Sequence, residues 1–275
     1  MKLYKYLPVE RVDVLENLRV RFTQLSSLND PYEMHHSFNV TDLVDNLSKE
    51  SRELLNEWWS DLSDDKRIEL EPEYNQVLSE IEDNSGNLIR ENKMTSEMSK
   101  LMDKVIGVLS LSQTNESLLM WSHYADSGCG YVIEFDSNHE FFHRPGLNGV
   151  STDPIVIKYE ESPNLLDIDK VYDSSSILGV KSSEWAYEKE VRLTLNFIGI
   201  KPQVNSDNRP IIDPFGNKVY LADIPKDAIK SVFFGPRTSV DTKNRILKAI
   251  NDNYIECQVF EHEVAVNTYK LIQRV

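Results

Sequence analysis

From Thr41 to Lys104 the chain is acidic, Leu-spaced and nearly free of glycine, as in LVDNLSKESRELLNEWWSDL and YNQVLSEIEDN. That spacing is the signature of amphipathic helices. The segments on either side carry the opposite pattern. KLYKYLP and RVRFTQL before it alternate like strands, and VIGVLSLSQ, GYVIEFD, VIKYE, EVRLTLNF, KSVFFG, CQVFEHEV and YKLIQRV after it read as further strands. A chain that is strand-forming, then helical, then strand-forming again is most simply one sheet whose halves are separated by a helical excursion. The expectation is a single α+β domain over residues 1–275 with a largely antiparallel sheet at its core and a helical insertion at 41–104.

Local signals refine this outline. PVERVDVLENLRV and SLLMWSHYA read as short helices, and RILKAI as a helix opened by Asp241 and Thr242. SSLNDPYE is a shaped loop, because Pro31 biases Asp30 away from helix. EDNSGN at 82–87 is the clearest break within the insertion. Trp58 and Trp59 point about 100° apart on a helix, so at least one anchors packing.

Composition bounds the function classes. The formal charge of −15, from 30 basic and 45 acidic residues, disfavours nonspecific nucleic-acid binding, which depends on counterion release by cations. No run approaches the roughly 18 apolar residues of a membrane helix. The start, MKLYKYLPVERVDV, lacks the apolar core and cleavage site of a secretory signal, so a cytoplasmic protein is expected. The two cysteines, Cys129 and Cys257, are too few for a disulfide framework and lack CxxC spacing. His35 with His36, and His139 with His143, have no companions at zinc-like spacing, so no metal is expected.

Three polar-aromatic clusters interrupt the strand-rich regions. The first joins Tyr4, Lys5 and Tyr6 to Asn29, Asp30 and Glu33; its ordinary explanation is a solvated lysine beside a capped turn. The second is Trp121, Ser122, His123, Tyr124 and Asp126, which spread around a helical turn and serve either as core or as the lining of a pocket for a ring or ribose. The third is SEWAYEKEVRL, residues 183–193. Read as a strand, it sets Glu188, Glu190 and Arg192 along one face, with Val191, Leu193 and Leu195 on the other. An exposed sheet face with ion pairs gives the same order. Flanking aromatics would partly desolvate the acids, which suits them to proton transfer or to stabilising a cation, with Arg192 as charge partner.

In combination, LYKY, LNDPYE, LMWSHYADSGCGYVIEFD, WAYEKEVRL and the late FFGP resemble the bacterial domain-of-unknown-function family 2971, in the same order from residue 3 to about residue 240. The block 41–104 carries no family motif. More distantly, the layout is similar to the ADP-ribosyltransferase superfamily, in which a split antiparallel sheet clamps NAD. That resemblance implies an ADP-ribosyltransferase or NAD-cleaving enzyme, working as an intracellular toxin or phage-defence effector. It gives Lys5 the role of holding the adenosine ribose, Tyr124 that of packing on nicotinamide, and Glu190 that of contacting the nicotinamide ribose, with Glu188 orienting or deprotonating the acceptor. Lys5 departs from the superfamily's His or Arg. The expected catalytic residues are Glu190 and Glu188; the expected NAD-binding residues are Lys5, Tyr6, Asp30, Trp121, His123, Tyr124 and Arg192. Two alternatives stand beside this reading. One is a module that binds a nucleotide-type small molecule without turnover, or a protein partner at the helical insertion; the other is a nucleic-acid-processing enzyme.

Overall fold

The computed structural model describes residues 1–34, 37–39, 41–82, 84–143, 153–162, 165–167 and 178–274. His35 and His36 lie outside the described residues. The strands are β1 (Lys2–Leu7), β2 (Arg19–Phe22), β3 (Ser37–Asn39), β4 (Ile106–Ser112), β5 (Tyr131–Asp136), β6 (Ile155–Val156), β7 (Lys158–Glu160), β8 (Leu165–Asp167), β9 (Val180–Ser182), β10 (Glu190–Asn196), β11 (Tyr220–Asp223), β12 (Ile229–Phe234), β13 (Gln258–Val264) and β14 (Leu271–Arg274). The helices are α1 (Asp13–Asn17), α2 (Thr41–Ser60), α3 (Asp64–Glu82), α4 (Asn84–Val105), α5 (Leu118–Tyr124) and α6 (Val240–Asp252). The result is a mixed α+β protein with a mostly antiparallel sheet.

The chain divides into two compact units. One comprises Met1–Met34, Asp103–Pro163 and Leu178–Val275; the other comprises His35–Met102 and Asn164–Ile177. The second unit therefore extends beyond the block expected at 41–104, because the parallel pairing of β3 with β8 joins residues far apart in sequence. Within it α2 and α3 form a helical hairpin. Trp59 stacks on Tyr74 with ring centroids 4.1 Å apart, the Tyr74 hydroxyl donates to Asn56 Oδ1 at 2.7 Å, and Trp58 stays exposed.

The first unit is built on an eight-stranded sheet in the order β14-β13-β12-β5-β1-β4-β10-β6, antiparallel throughout except between β12 and β13. Both faces are packed, and the pleat separates them. On β1, Leu3 and Leu7 join one apolar cluster with Leu109, Leu111, Ile133, Val191 and Ile246, while Tyr4 and Tyr6 join another with Met120, Trp121, Val132 and Phe233. Helix α6 covers the first face with Thr242, Ile246, Ala249 and Ile250, a single stripe at helical spacing. Its N-cap is Ser239, whose hydroxyl accepts from Thr242 N at 3.1 Å, so the helix starts two residues earlier than the Asp241–Thr242 signal suggests. At the end of β1, Gly130 lets the chain pass close to the Leu7 carbonyl; a Cβ there would lie 2.2 Å from that oxygen.

One seam of the sheet is different. β1 pairs with β5 from Lys2 to Leu7, and β10 pairs with β4 from Glu190 to Asn196, but β1 and β4 share a single register position, Tyr4 opposite Ser112. Farther along β4, Val108 instead exchanges hydrogen bonds of 2.8 Å with Thr23, which follows β2. Between these two points the strands part and leave a gap beside Ser110.

Candidate functional site

A cavity of about 250 Å³ occupies this gap. Lys5 and Tyr6 of β1, Ser110 of β4, Tyr124 at the end of α5, and Lys181, Glu188 and Glu190 all face it.

The acids reach it by a route that alternation does not reveal. Ser183–Glu188 is a 3-10 turn, opened by the Ser182 hydroxyl accepting from Glu184 N, and it ends at Lys189 in the left-handed conformation with φ 44°. Only Glu190 and Arg192 lie on β10. The expected single strand carrying Glu188, Glu190 and Arg192 is thus replaced by a turn and a kink. Two hydrogen bonds pin that kink: Ser112 Oγ donates to the Glu188 carbonyl at 2.6 Å, and Gln113 N donates to the Lys189 carbonyl at 3.0 Å.

Behind the cavity wall sits a nearly dry ionic cluster. Lys181 Nζ of β9 is 2.8 Å from Glu188 Oε2 and 3.3 Å from Glu190 Oε2. Arg192 grips Glu190 through Nε to Oε1 at 2.9 Å and Nη2 to Oε2 at 3.1 Å. Its other edge engages Glu33, with Nη1 donating to Oε2 at 2.9 Å and Nη2 to Oε1, and Nη1 also donates to the Leu178 carbonyl at 3.1 Å. All five side chains are at most 6% exposed. Removing charges from water costs several kcal/mol per ion, so such a cluster survives only when donors and acceptors match, as here. Tyr159 completes it: its phenol oxygen accepts from Glu190 N at 2.7 Å.

Each group's ionisation follows from its neighbours. Burial alone would raise the Glu190 carboxyl, but the Arg192 and Lys181 charges overturn it and hold it at about 2. Burial opposes the Lys181 ammonium, and Glu190 and Glu188 overcome that opposition and raise it. For Glu33 burial prevails over Arg192 and raises the carboxyl. Tyr124 donates to Glu188 Oε1 and accepts from Asn29 Nδ2; burial and then the Glu188 bond push its phenol far above the ordinary tyrosine value, so it stays protonated. Lys5 donates to the Ser110 carbonyl at 2.9 Å, and burial, followed by the Arg11 charge, lowers its ammonium to about 8 against the pull of Glu190 and Glu188.

Of the residues singled out from sequence, Tyr4, Lys5, Tyr6, Asn29, Tyr124, Glu188 and Glu190 meet at the cavity. Asp30, Trp121, His123 and Arg192 do not line it. Asp30 is buried and caps its own turn, accepting from Tyr32 N at 2.9 Å. The Trp121 indole N–H donates to the Asn115 carbonyl at 2.7 Å inside the aromatic core. His123 is exposed, with its ring 6.3 Å from that of Tyr124. Arg192 lies behind the acids. Lys181 was not foreseen: in VKS it resembles any lysine on a short strand, and the one hint is Trp185, whose ring its ammonium faces at 4.7 Å. Glu33 was grouped with NDPYE, but nothing there points to Arg192.

Residues 120–193 match the family model described as Protein of unknown function (DUF2971). This stretch runs from α5 into β10 and carries Tyr124, Lys181, Glu188, Glu190 and Arg192, whereas Lys5 and Glu33 lie before it. Neither the curated proteins nor the solved structures give a match.

Proposed function

We propose that the cavity at the sheet gap binds the nicotinamide-ribose end of NAD and that the protein is an ADP-ribosyltransferase-like or NAD-cleaving enzyme. The observation that carries the reading is the meeting of Lys5, Tyr124, Glu188 and Glu190, from three separate regions of the chain, in one cavity. Its volume suits one end of a dinucleotide rather than the whole, since drug-sized ligands occupy roughly 300–1,000 Å³.

The chemistry asks for little else. As the bond from ribose C1′ to nicotinamide breaks, its electron pair leaves with the ring and positive charge grows on the sugar. A fixed carboxylate stabilises that charge without reorganising. Glu190, kept ionised by Arg192 and Lys181, fits this task. Glu188 then orients the acceptor, or water, and takes its proton; Tyr124 holds Glu188 and offers a ring to nicotinamide. The accompanying biological role is that of an intracellular toxin or phage-defence effector acting from the cytoplasm.

Incubating the purified protein with NAD and measuring free nicotinamide tests the activity. Release that Tyr124→Phe and Glu188→Gln reduce, in variants whose melting remains cooperative, supports it; NAD that stays intact and gives no binding heat counts against it.

One observation favours a second reading, a module that binds a nucleotide without turnover. Both Glu190 oxygens are already occupied by Arg192 and Lys181. In that case Glu188→Gln leaves ligand affinity unchanged and no product forms.

A further inference from the structure

On β1 the side chains at positions 3, 5 and 7 share one face of the strand. Leu3 and Leu7 are 0% and 4% exposed in the apolar core, so the pattern calls for a third apolar residue between them. The chain places Lys5 there. A lysine half-buried in an apolar face, as Lys5 is, normally finds a carboxylate, as the buried Lys181 does three times over. Among the described residues Lys5 has no carboxylate within 4 Å, and its one hydrogen bond is to a backbone carbonyl, Ser110 O at 2.9 Å. Sheet cohesion does not require this arrangement, because an apolar side chain would fill the same seam without the cost of a desolvated charge. The amine also faces the 250 Å³ cavity, so a small molecule can reach it.

We propose that Lys5 is a nucleophilic amine that captures a small aldehyde or ketone in the cavity as a Schiff base. The ammonium first loses a proton to solvent. The free amine nitrogen attacks the carbonyl carbon, forming a C–N bond as the C=O π pair moves onto oxygen, and one of the two N–H protons passes to that oxygen to give a carbinolamine. Loss of that hydroxyl as water, with the remaining N–H proton released, leaves the C=N bond, and no oxidant or reductant is consumed. A lysine freed of its proton by burial rather than by a strong base is the usual form of such a nucleophile. The lowering of its ammonium to about 8 is in keeping with this. The inference does not depend on NAD cleavage, and the readout below involves no nicotinamide.

The test uses the full-length protein, limiting propanal and sodium cyanoborohydride at pH 7, with each lysine followed by peptide mass. The α-amine of the amino terminus is followed separately from the lysines. The expected result is Lys5 labelled at least about tenfold faster than exposed lysines, whose ordinary pKa of about 10.4 leaves far less free amine. Its rate should rise through a midpoint near pH 8. A bulky aldehyde such as pyrenecarboxaldehyde should label surface lysines and spare Lys5. Lys5 labelled no faster than the surface average, or labelled equally by the bulky aldehyde, overturns the proposal. The comparison is made within the wild-type chain, so it holds whether or not a Lys5→Met variant folds.

Discussion

Glu190 and Asp213 are both buried carboxylates held at about 2, yet their surroundings differ in kind. Asp213 closes a loop. Its oxygens accept from Arg21, from the Ser27 hydroxyl at 2.7 Å, and from the backbone N–H of Phe215 and Asn217 at 2.9 and 2.8 Å. For it, burial is overcome first by Ser27, then by Arg21 and the turn's own amides. Glu190 is held instead by two full charges, Arg192 and Lys181, and one side of the group faces an open cavity. A depressed carboxyl alone therefore does not mark a functional site; the space beside it makes the difference.

Removing the arginine from each cluster should separate them most sharply. Arg192→Met leaves Glu33 and Glu190 only the Lys181 ammonium, at 3.8 and 3.3 Å, and should cost about 3–5 kcal/mol in urea unfolding. Arg21→Met leaves Asp213 its hydroxyl and amide donors and should cost about 1–2 kcal/mol. Equal losses would erase the distinction.

Acid unfolding probes the same contrast. Glu190 in the folded state titrates at about 2, below its ordinary 4.5, so the stability it adds is complete above pH 4.5 and lost as pH falls toward 2. That contribution is about 3 kcal/mol. Asp213 loses its share in the same direction, from 3.8 downward. Glu190→Gln and Asp213→Asn should each flatten the fall in stability across this window. A variant that kept the wild-type slope would show that its carboxylate is not the group titrating.

Glu188→Gln leaves the fold within about 1–2 kcal/mol, because the amide oxygen can still accept a hydrogen bond. On the proposed NAD-cleaving reading it should nevertheless reduce nicotinamide release, while Asp213→Asn leaves release unchanged; turnover lost in both variants would mean that global stability is being measured.

The smallest effect belongs to Lys5→Met. The folded ammonium, at about 8, lies below its ordinary 10.5, so between those values the unfolded chain binds more protons and wild-type stability climbs with pH. The variant should lack that climb and gain about 1 kcal/mol at pH 7 by fluorescence-monitored unfolding.

Apolar, β-branched runs sufficed to locate β1, β4, β5 and β10, and Leu spacing sufficed to mark 41–104 as helical, although its division into α2, α3 and α4 was not read from it. Alternation misled at Ser183–Glu188. Trp185, Tyr187 and the acids alternate there as they would on a strand, but the segment turns, and the left-handed Lys189 that separates Glu188 from Glu190 has no sequence signature, lysine being no favourite of that conformation. Tyr124 and Glu190 were singled out by position in the distant superfamily layout, and Glu188 by its place two residues before Glu190. Lys181 and Glu33 were not, since each acquires its meaning only from partners brought together by long-range pairing. The gap between β1 and β4 was equally hidden, as no residue in LYKY or LSLS records which neighbour a strand will leave.

The placement of β1 between β4 and β5 also governs how the protein emerges from the ribosome. Its residues are made before those of either neighbour: β4 is complete only at residue 112 and β5 at residue 136, with the whole of α2, α3 and α4 in between. At about 5–20 residues per second, the amino-terminal segment waits on the order of ten seconds without a partner. Throughout synthesis of the helices it is an unpaired apolar strand, the stage at which a chaperone would be most useful to this chain and premature association most costly.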